Sequence, residues 1–167
     1  MSRMIHTALM TRDAFAPFGD LMQIEGAPDV LINQGMCGRY HDKAHLDFDG
    51  GRMGVSLFNA TPRALPYTLD MMERHPLGCQ AFVPMTEHGF LVIVAPDEDG
   101  TPGEPQAFLT EPGQAINFHR NTWHGVLTPL HAPGLFAVID RIATDGDAAE
   151  NLEEYWFETA WTVVKPE

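Results

Sequence analysis

Thirteen prolines and fifteen glycines fall at short intervals along this chain. Proline inside a helix removes a backbone donor and clashes with the preceding turn, and glycine there costs conformational entropy. That punctuation restricts the chain to short elements joined by turns. One helical turn fits at "TRDAFAPFG": Thr11 can cap it, Asp13 suits its first turn, and Pro17 and Gly19 end it. From residue 51 onward the pattern is β. "RMGVSLFNA" alternates Met53, Val55 and Leu57 against Gly54, Ser56 and Phe58, which fits a half-buried strand. "CQAFVPM" and "FLVIVAP" are short apolar runs bounded by proline or glycine, and the latter reads as buried on both faces. "DEDGTPGEP" reads as an acidic loop too polar to pack. "QAFLT", "QAINFH", "GLFAVIDRI" and "EYWFETAWTVV" supply the other strands. About eight short strands with no helices between them predict a mainly-β chain, a barrel or double-sheet jelly roll with a few short helices. One domain over residues 1–167 suits the length.

The charge balance narrows the partners. Ten Lys+Arg against 23 Asp+Glu give a formal charge of −13. Such a surface repels phosphate backbones and anionic lipid, so neither nucleic acid nor a membrane is expected as partner. A small anionic ligand remains open, since local arginines override net charge. No apolar run is long enough to span a bilayer, and "MSRMIHTALMTRDAF" lacks the apolar core of a secretory signal. Cys37 and Cys79 match no metal or redox spacing and are expected as buried thiols. The expectation is a cytoplasmic protein acting on a small molecule.

Four segments concentrate polar chemistry. "NQGMCGRYHD" holds Asn33, Gln34, Arg39, Tyr40 and His41 among glycines, where a backbone can approach a ligand and Arg39 can grip a carboxylate; an exposed polar loop is the alternative. "ERHPLGCQAF" holds Glu73, His75 and Gln80. On a strand Glu73 and His75 share a face, and Gln80 can return to it beyond the Pro-Leu-Gly turn, making a divalent-metal or polar substrate pocket. In "PGQAINFHRNTWHGVL", Gln114, Ile116 and Phe118 lie on one face and Asn117 and His119 on the other. If the apolar face packs in the core, Asn117 and His119 point into the barrel, and His124 lies near His119 across the "RNT" turn. In "VIDRI", Arg141 needs a partner: Asp140, Asp20, Glu73 or an anionic ligand. No dinucleotide, P-loop or nucleophile-elbow motif is present.

Taken together and in order, "RYHD", "ERHPLGCQAFVPM", "FLVIVA" and "GQAINFHRNTWH" resemble the bacterial ureidoglycolate lyase/hydrolase family, from "FAPFGD" to "AVIDR". The resemblance implies a cupin-like β-barrel, a homodimer, and cleavage of (S)-ureidoglycolate to glyoxylate and urea late in allantoin and purine catabolism. It also implies a divalent metal, nickel in the first place, at Glu73, His75, Gln80 and His124. Two departures stand out. Family members often read "WHHPL" where this chain has "WHGVL", with Gly125 in place of a histidine, and often a leucine at the position of Lys43.

For that reaction a hydroxyl proton must leave, a ureido nitrogen must gain one, and the carboxylate must be held. His119, His124 and His75 are the catalytic candidates. Arg39 or Arg120 would hold the carboxylate, and Asn33, Asn117 and Gln80 the ureido group, with Tyr40 beside them. The alternatives are a metabolite-binding barrel without turnover, and an amidohydrolase that releases ammonia.

Overall fold

The computed structural model describes residues 3–147 and 149–166. Its strands are β1 (Arg3–Leu9), β2 (Gly19–Met22), β3 (Val30–Ile32), β4 (Cys37–Arg39), β5 (Arg52–Ala60), β6 (Tyr67–Arg74), β7 (Gln80–Pro84) and β8 (Phe90–Ala95) in the first half. The second half has β9 (Asp97–Glu98), β10 (Thr101–Pro102), β11 (Gln106–Leu109), β12 (Ala115–Phe118), β13 (Trp123–His124), β14 (Thr128–Pro129), β15 (Gly134–Ile142) and β16 (Glu153–Val164). The helical turn α1 (Arg12–Phe15), the one helix among the described residues, begins where the side-chain oxygen of Thr11 accepts the Ala14 N–H at 3.3 Å.

Strands β11, β1, β16, β6, β13 and β8 follow one another in hydrogen-bonded order, and β11 pairs with β8, so the ring closes. A second sheet, β2-β12-β7-β15-β5, covers one side of it. This is the mainly-β, cupin-like barrel that the punctuation and the resemblance predict. β8 belongs to both cores. Phe90, Val92 and Val94 join a phenylalanine-rich layer with Phe15, Phe82, Phe118 and Phe136. Leu91, Ile93 and Ala95 face the ring interior with Leu69, Met72, Trp123 and Val163. All six residues of β8 are buried, as an apolar run without alternation requires.

Four local outcomes differ from the expectations of the sequence. β1 to β4 are additional strands ahead of residue 51; β1 runs parallel to both β16 and β11 and completes the ring. The signal of β1 is weak because only Ile5 and Thr7 of its residues turn inward. The acidic "DEDGTPGEP" forms a small exposed hairpin, β9–β10. Cys37 is exposed, while Cys79 is buried as expected. Finally, β5 turns the face opposite to the apolar alternation into the core. Phe58 packs edge-on against Phe82, while Val55 and Leu57 are 70% and 74% exposed.

Candidate active site

Antiparallel pairing decides which side chains meet, because directly opposed residues share a face. His124 on β13 is opposite both Val94 and Glu73. Val94 points into the layer between ring and second sheet, and so do His124 and Glu73. His75, two residues beyond Glu73, follows on the same side. From the second sheet, Gln80 is opposite Phe118 on one flank and Asp140 on the other. The Phe118 ring stacks on the His124 imidazole, with centroids 4.2 Å apart and planes 7° from parallel. Gln80 thus lies on the face directed toward His124, and its amide N–H donates to Asp140 at 3.1 Å.

Glu73, His75 and His124 bring one ligand atom each to within 4.8 Å of one another. Both histidines are fixed by carbonyls. The Nδ1 of His75 lies 2.7 Å from the Asn151 oxygen, and that of His124 lies 2.9 Å from the Gly125 oxygen. A carbonyl only accepts, so each neutral ring carries its proton on Nδ1 and offers Nε2 as a lone pair. Both Nε2 atoms are buried without a partner, and so is the Gln80 amide oxygen. Two orphaned imidazole lone pairs beside a carboxylate form a donor set suited to a divalent cation, and the carbonyls supply the outer hydrogen bonds that metal-bound histidines use. His124 is fully enclosed, and burial, then the nearby His75, pushes its pKa down to about 3. Burial raises Glu73, with Glu154 adding to the rise and His75 opposing it. The side chains of Glu73 and His75 keep 21% and 17% of their surface exposed, so the cluster opens on their side.

The other nominated residues lie elsewhere. Asn117 and His119 do not point into the barrel. Ile116 and Phe118 take the inner face, so their neighbours face outward, where residues 42–49 cover them. There Asp20 gathers hydrogen bonds from the Asn117 amide, His119 Nε2 and the His45 N–H at 2.9, 3.0 and 2.9 Å. Burial alone would raise Asp20, but these donors outweigh it and hold its carboxyl below the usual range. Sequence reasoning misses this role of Asp20; the only signal is an acid beside the glycine of a four-residue strand. A cavity of about 190 Å³ at this point is lined by His45, Asp47, His119 and Arg120. Arg120 is occupied by the Pro76 carbonyl and Asp49. Arg141 pairs with Asp147 and donates to the Asp49 carbonyl at 2.7 Å, so it takes a structural partner and none of the three carboxylates expected. Asn33 and Gln34 form the tip of the β3–β4 hairpin, with left-handed φ of 53° and 56°. Tyr40 bonds the Gly26 carbonyl at 2.9 Å, and Lys43 pairs with Asp29 at 3.5 Å. None of the hydrogen bonds among the described residues joins Asn33, Arg39 or Tyr40 to the Glu73 cluster. Position 125 is also separate: a side chain there would meet Ile93 and Leu69, on the ring-interior side, so the missing histidine leaves the cluster intact.

A two-layered jelly-roll barrel with imidazoles and a carboxylate converging between its layers defines the cupin-like class of small-molecule proteins. Comparison with known proteins refines that class. The family model described as Ureidoglycolate lyase matches residues 2–164. The ureidoglycolate lyase of Rhodobacter capsulatus is 59% identical over 147 residues, covering 87% of this chain and 89% of that protein. Ureidoglycolate lyase 2 of Rhizobium meliloti is 50% identical, covering 92% and 93%. The ureidoglycolate lyase of a Chelativorans species is 49% identical, covering 95% and 94%. The chain belongs to the ureidoglycolate lyase family. Among the described residues no helix is long and apolar enough to cross a membrane.

Proposed function

We propose that this chain is a carbon–nitrogen lyase that splits (S)-ureidoglycolate into glyoxylate and urea, a step of allantoin and purine catabolism. The observation that carries the reading is the enclosed Glu73–His75–His124 group, in a chain of this family. The substrate carries carboxylate, hydroxyl and ureido nitrogen on one carbon. Its cleavage moves one proton from the hydroxyl oxygen to the departing nitrogen as the C–N bond breaks and C=O forms. One carboxyl group can serve both transfers, and a raised pKa makes its carboxylate the stronger base. Glu73 is placed for that role: as the carboxylate it takes the hydroxyl proton, and as the acid it returns that proton to the urea nitrogen, its burial strengthening it as a base. The orphaned Gln80 oxygen accepts a ureido N–H. The Phe118 ring, stacked on the His124 imidazole, covers one side of the cluster with apolar surface. His75 and His124 would hold a divalent cation beside the Glu73 carboxylate, and nickel suits such a nitrogen–oxygen set. When bound, the cation supplies Lewis acidity toward the hydroxy-acid oxygens. The exposed free thiol of Cys37 agrees with work in a reducing cytoplasm.

The test is product analysis on ureidoglycolate with the wild type and Glu73→Gln, with and without prior chelation. Urea and glyoxylate without ammonia, and a loss of about 100-fold or more in kcat for Glu73→Gln, are expected. Ammonia release would make the chain an amidohydrolase, and no product above spontaneous decay would leave a binding barrel.

A further inference from the structure

Strand β6 ends at Arg74, one residue before His75. Its ladder with β16 pairs Glu73 with Glu154 and Arg74 with Glu153. Continued by two positions, that register sets Asn151 opposite Pro76. Proline has no N–H, so the ladder lacks a donor there. Asn151 bridges the gap with both of its oxygens. Its backbone carbonyl accepts the His75 Nδ1–H at 2.7 Å, and its side-chain oxygen accepts the Leu77 N–H at 2.7 Å. The main chain at this corner is held from the other side as well. The Asn121 N–H donates to the His75 carbonyl at 2.9 Å, and Arg120 donates to the Pro76 carbonyl. What the backbone leaves open at His75 is the rotation of the ring and the choice of the nitrogen that carries its proton.

Asn151 lies in a segment that electrostatics alone would push away from the cluster. Residues 145–154 hold five acids and neither lysine nor arginine. Like charge repels them from the Glu73 carboxylate. Two arginines counter this at the ends of the segment. Arg141, buried and donating to the Asp49 carbonyl at 2.7 Å, pairs with Asp147. Arg74, over the Trp123 ring at 4.4 Å, bonds Glu153 at 2.5 Å. Between these anchors Asn151 reaches the cluster. Its half-buried side chain grips the main chain beyond Pro76, and that grip directs its own carbonyl at the imidazole. Metal-type histidines are commonly oriented by such a carbonyl on the second ring nitrogen. Here it leaves the His75 Nε2 unprotonated, 3.9 Å from the Glu73 carboxylate, with the His124 ring centre 5.3 Å from its own.

We propose that Asn151 is a positioning residue of this cluster: its side-chain bond to the Leu77 N–H fixes its carbonyl on His75 Nδ1, so that Nε2 faces Glu73 and His124 as a lone pair. The proposal rests on the reading of Glu73, His75 and His124 as the working group, and its first test needs neither metal nor substrate. Long-range proton–nitrogen NMR of histidine-labelled, EDTA-treated protein, at a pH where imidazole is neutral, reads which ring nitrogen carries the proton. Wild-type His75 is expected in the Nδ1–H form. Asn151→Ala is expected to move it to a mixture with the Nε2–H form. Asn151→Asp keeps an acceptor for the Leu77 N–H and is expected to restore the wild-type form. His124, held by the Gly125 carbonyl, is the internal control and is expected to stay unchanged in all three proteins. Calorimetric titration with nickel is expected to give an affinity about 10–100-fold weaker for Asn151→Ala and close to wild type for Asn151→Asp. A wild-type His75 protonated on Nε2, or a tautomer unmoved by Asn151→Ala, would overturn the proposal. A tautomer that moves while nickel affinity does not would uphold Asn151 as the positioning residue and tell against His75 as a ligand, so the two readings fail separately.

Discussion

Replacing His124 with phenylalanine separates what the buried cluster does for folding from what it does for chemistry. His124 stacks flat on Phe118 at 4.2 Å, and a phenyl ring keeps that stack. Its Nε2 is buried with no partner, and an unsatisfied buried polar atom costs about 1–3 kcal/mol. The substitution also removes the Nδ1–H bond to Gly125, worth about 1 kcal/mol. Without metal the two terms nearly cancel or favour phenylalanine, so the melting temperature of chelated His124→Phe is expected to equal or slightly exceed that of chelated wild type. With metal the order reverses. A cation at about 100 times its Kd stabilises the wild type by about 2.7 kcal/mol. For a chain of this size that is a rise of about 5–10 °C. The variant should show no such rise and no turnover. Differential scanning fluorimetry with EDTA, then with a nickel titration, reads both quantities. A variant that melts far below the chelated wild type would show that His124 is a structural imidazole. One that keeps the nickel-dependent rise would refute the ligand assignment.

The same variant should change the acid limb of stability. His124 binds its proton near pH 3 in the folded state and near 6.5 when unfolded. Its stabilising contribution is therefore complete above about pH 6.5 and is lost as pH falls toward 3. The raised pKa of Glu73 acts with the opposite sign above its unfolded value near 4.5, so the two partly cancel there and His124 dominates below it. Urea midpoints from pH 6 to pH 3.5 should fall more steeply for wild type than for His124→Phe, and equal slopes would contradict the assignment. Asn117→Ala removes two buried hydrogen bonds, to Asp20 and to the His45 carbonyl. A loss of about 2–4 kcal/mol is expected, with faster hydrogen exchange confined to residues 42–49; exchange spread evenly over the molecule would argue against that local anchor. Gln80→Leu should raise KM for ureidoglycolate with little effect on melting, since loss of its hydrogen bond to Asp140 is offset by removal of its orphaned oxygen; an unchanged KM would remove Gln80 from the substrate.

Why some of this is legible in the sequence and some is not follows from the range of the interactions involved. β8 reads as doubly buried because six consecutive apolar residues leave no polar face, whatever surrounds them. Glu73 and His75 fall on one face because strand alternation is local. The face of β12 is misassigned for a non-local reason. Alternation separates Ile116 and Phe118 from Asn117 and His119, but it does not say that the space between the layers, rather than the outer surface, holds the metal-type cluster. The pairing of His124 with Glu73 across β13 and β6 settles that, at a sequence separation no local pattern spans. Asp20 is invisible for a similar reason: its partners come from β12 and from residue 45.

β5 carries the lesson furthest. Its alternation identifies a strand correctly, and by the usual rule the side with Val55 and Leu57 should be buried. In the structure it is the other side that packs, with Phe58 edge-on against Phe82. Period two marks the strand, but which of its faces packs is decided by the second layer lying on the Phe82 side, and alternation within one strand does not carry that information.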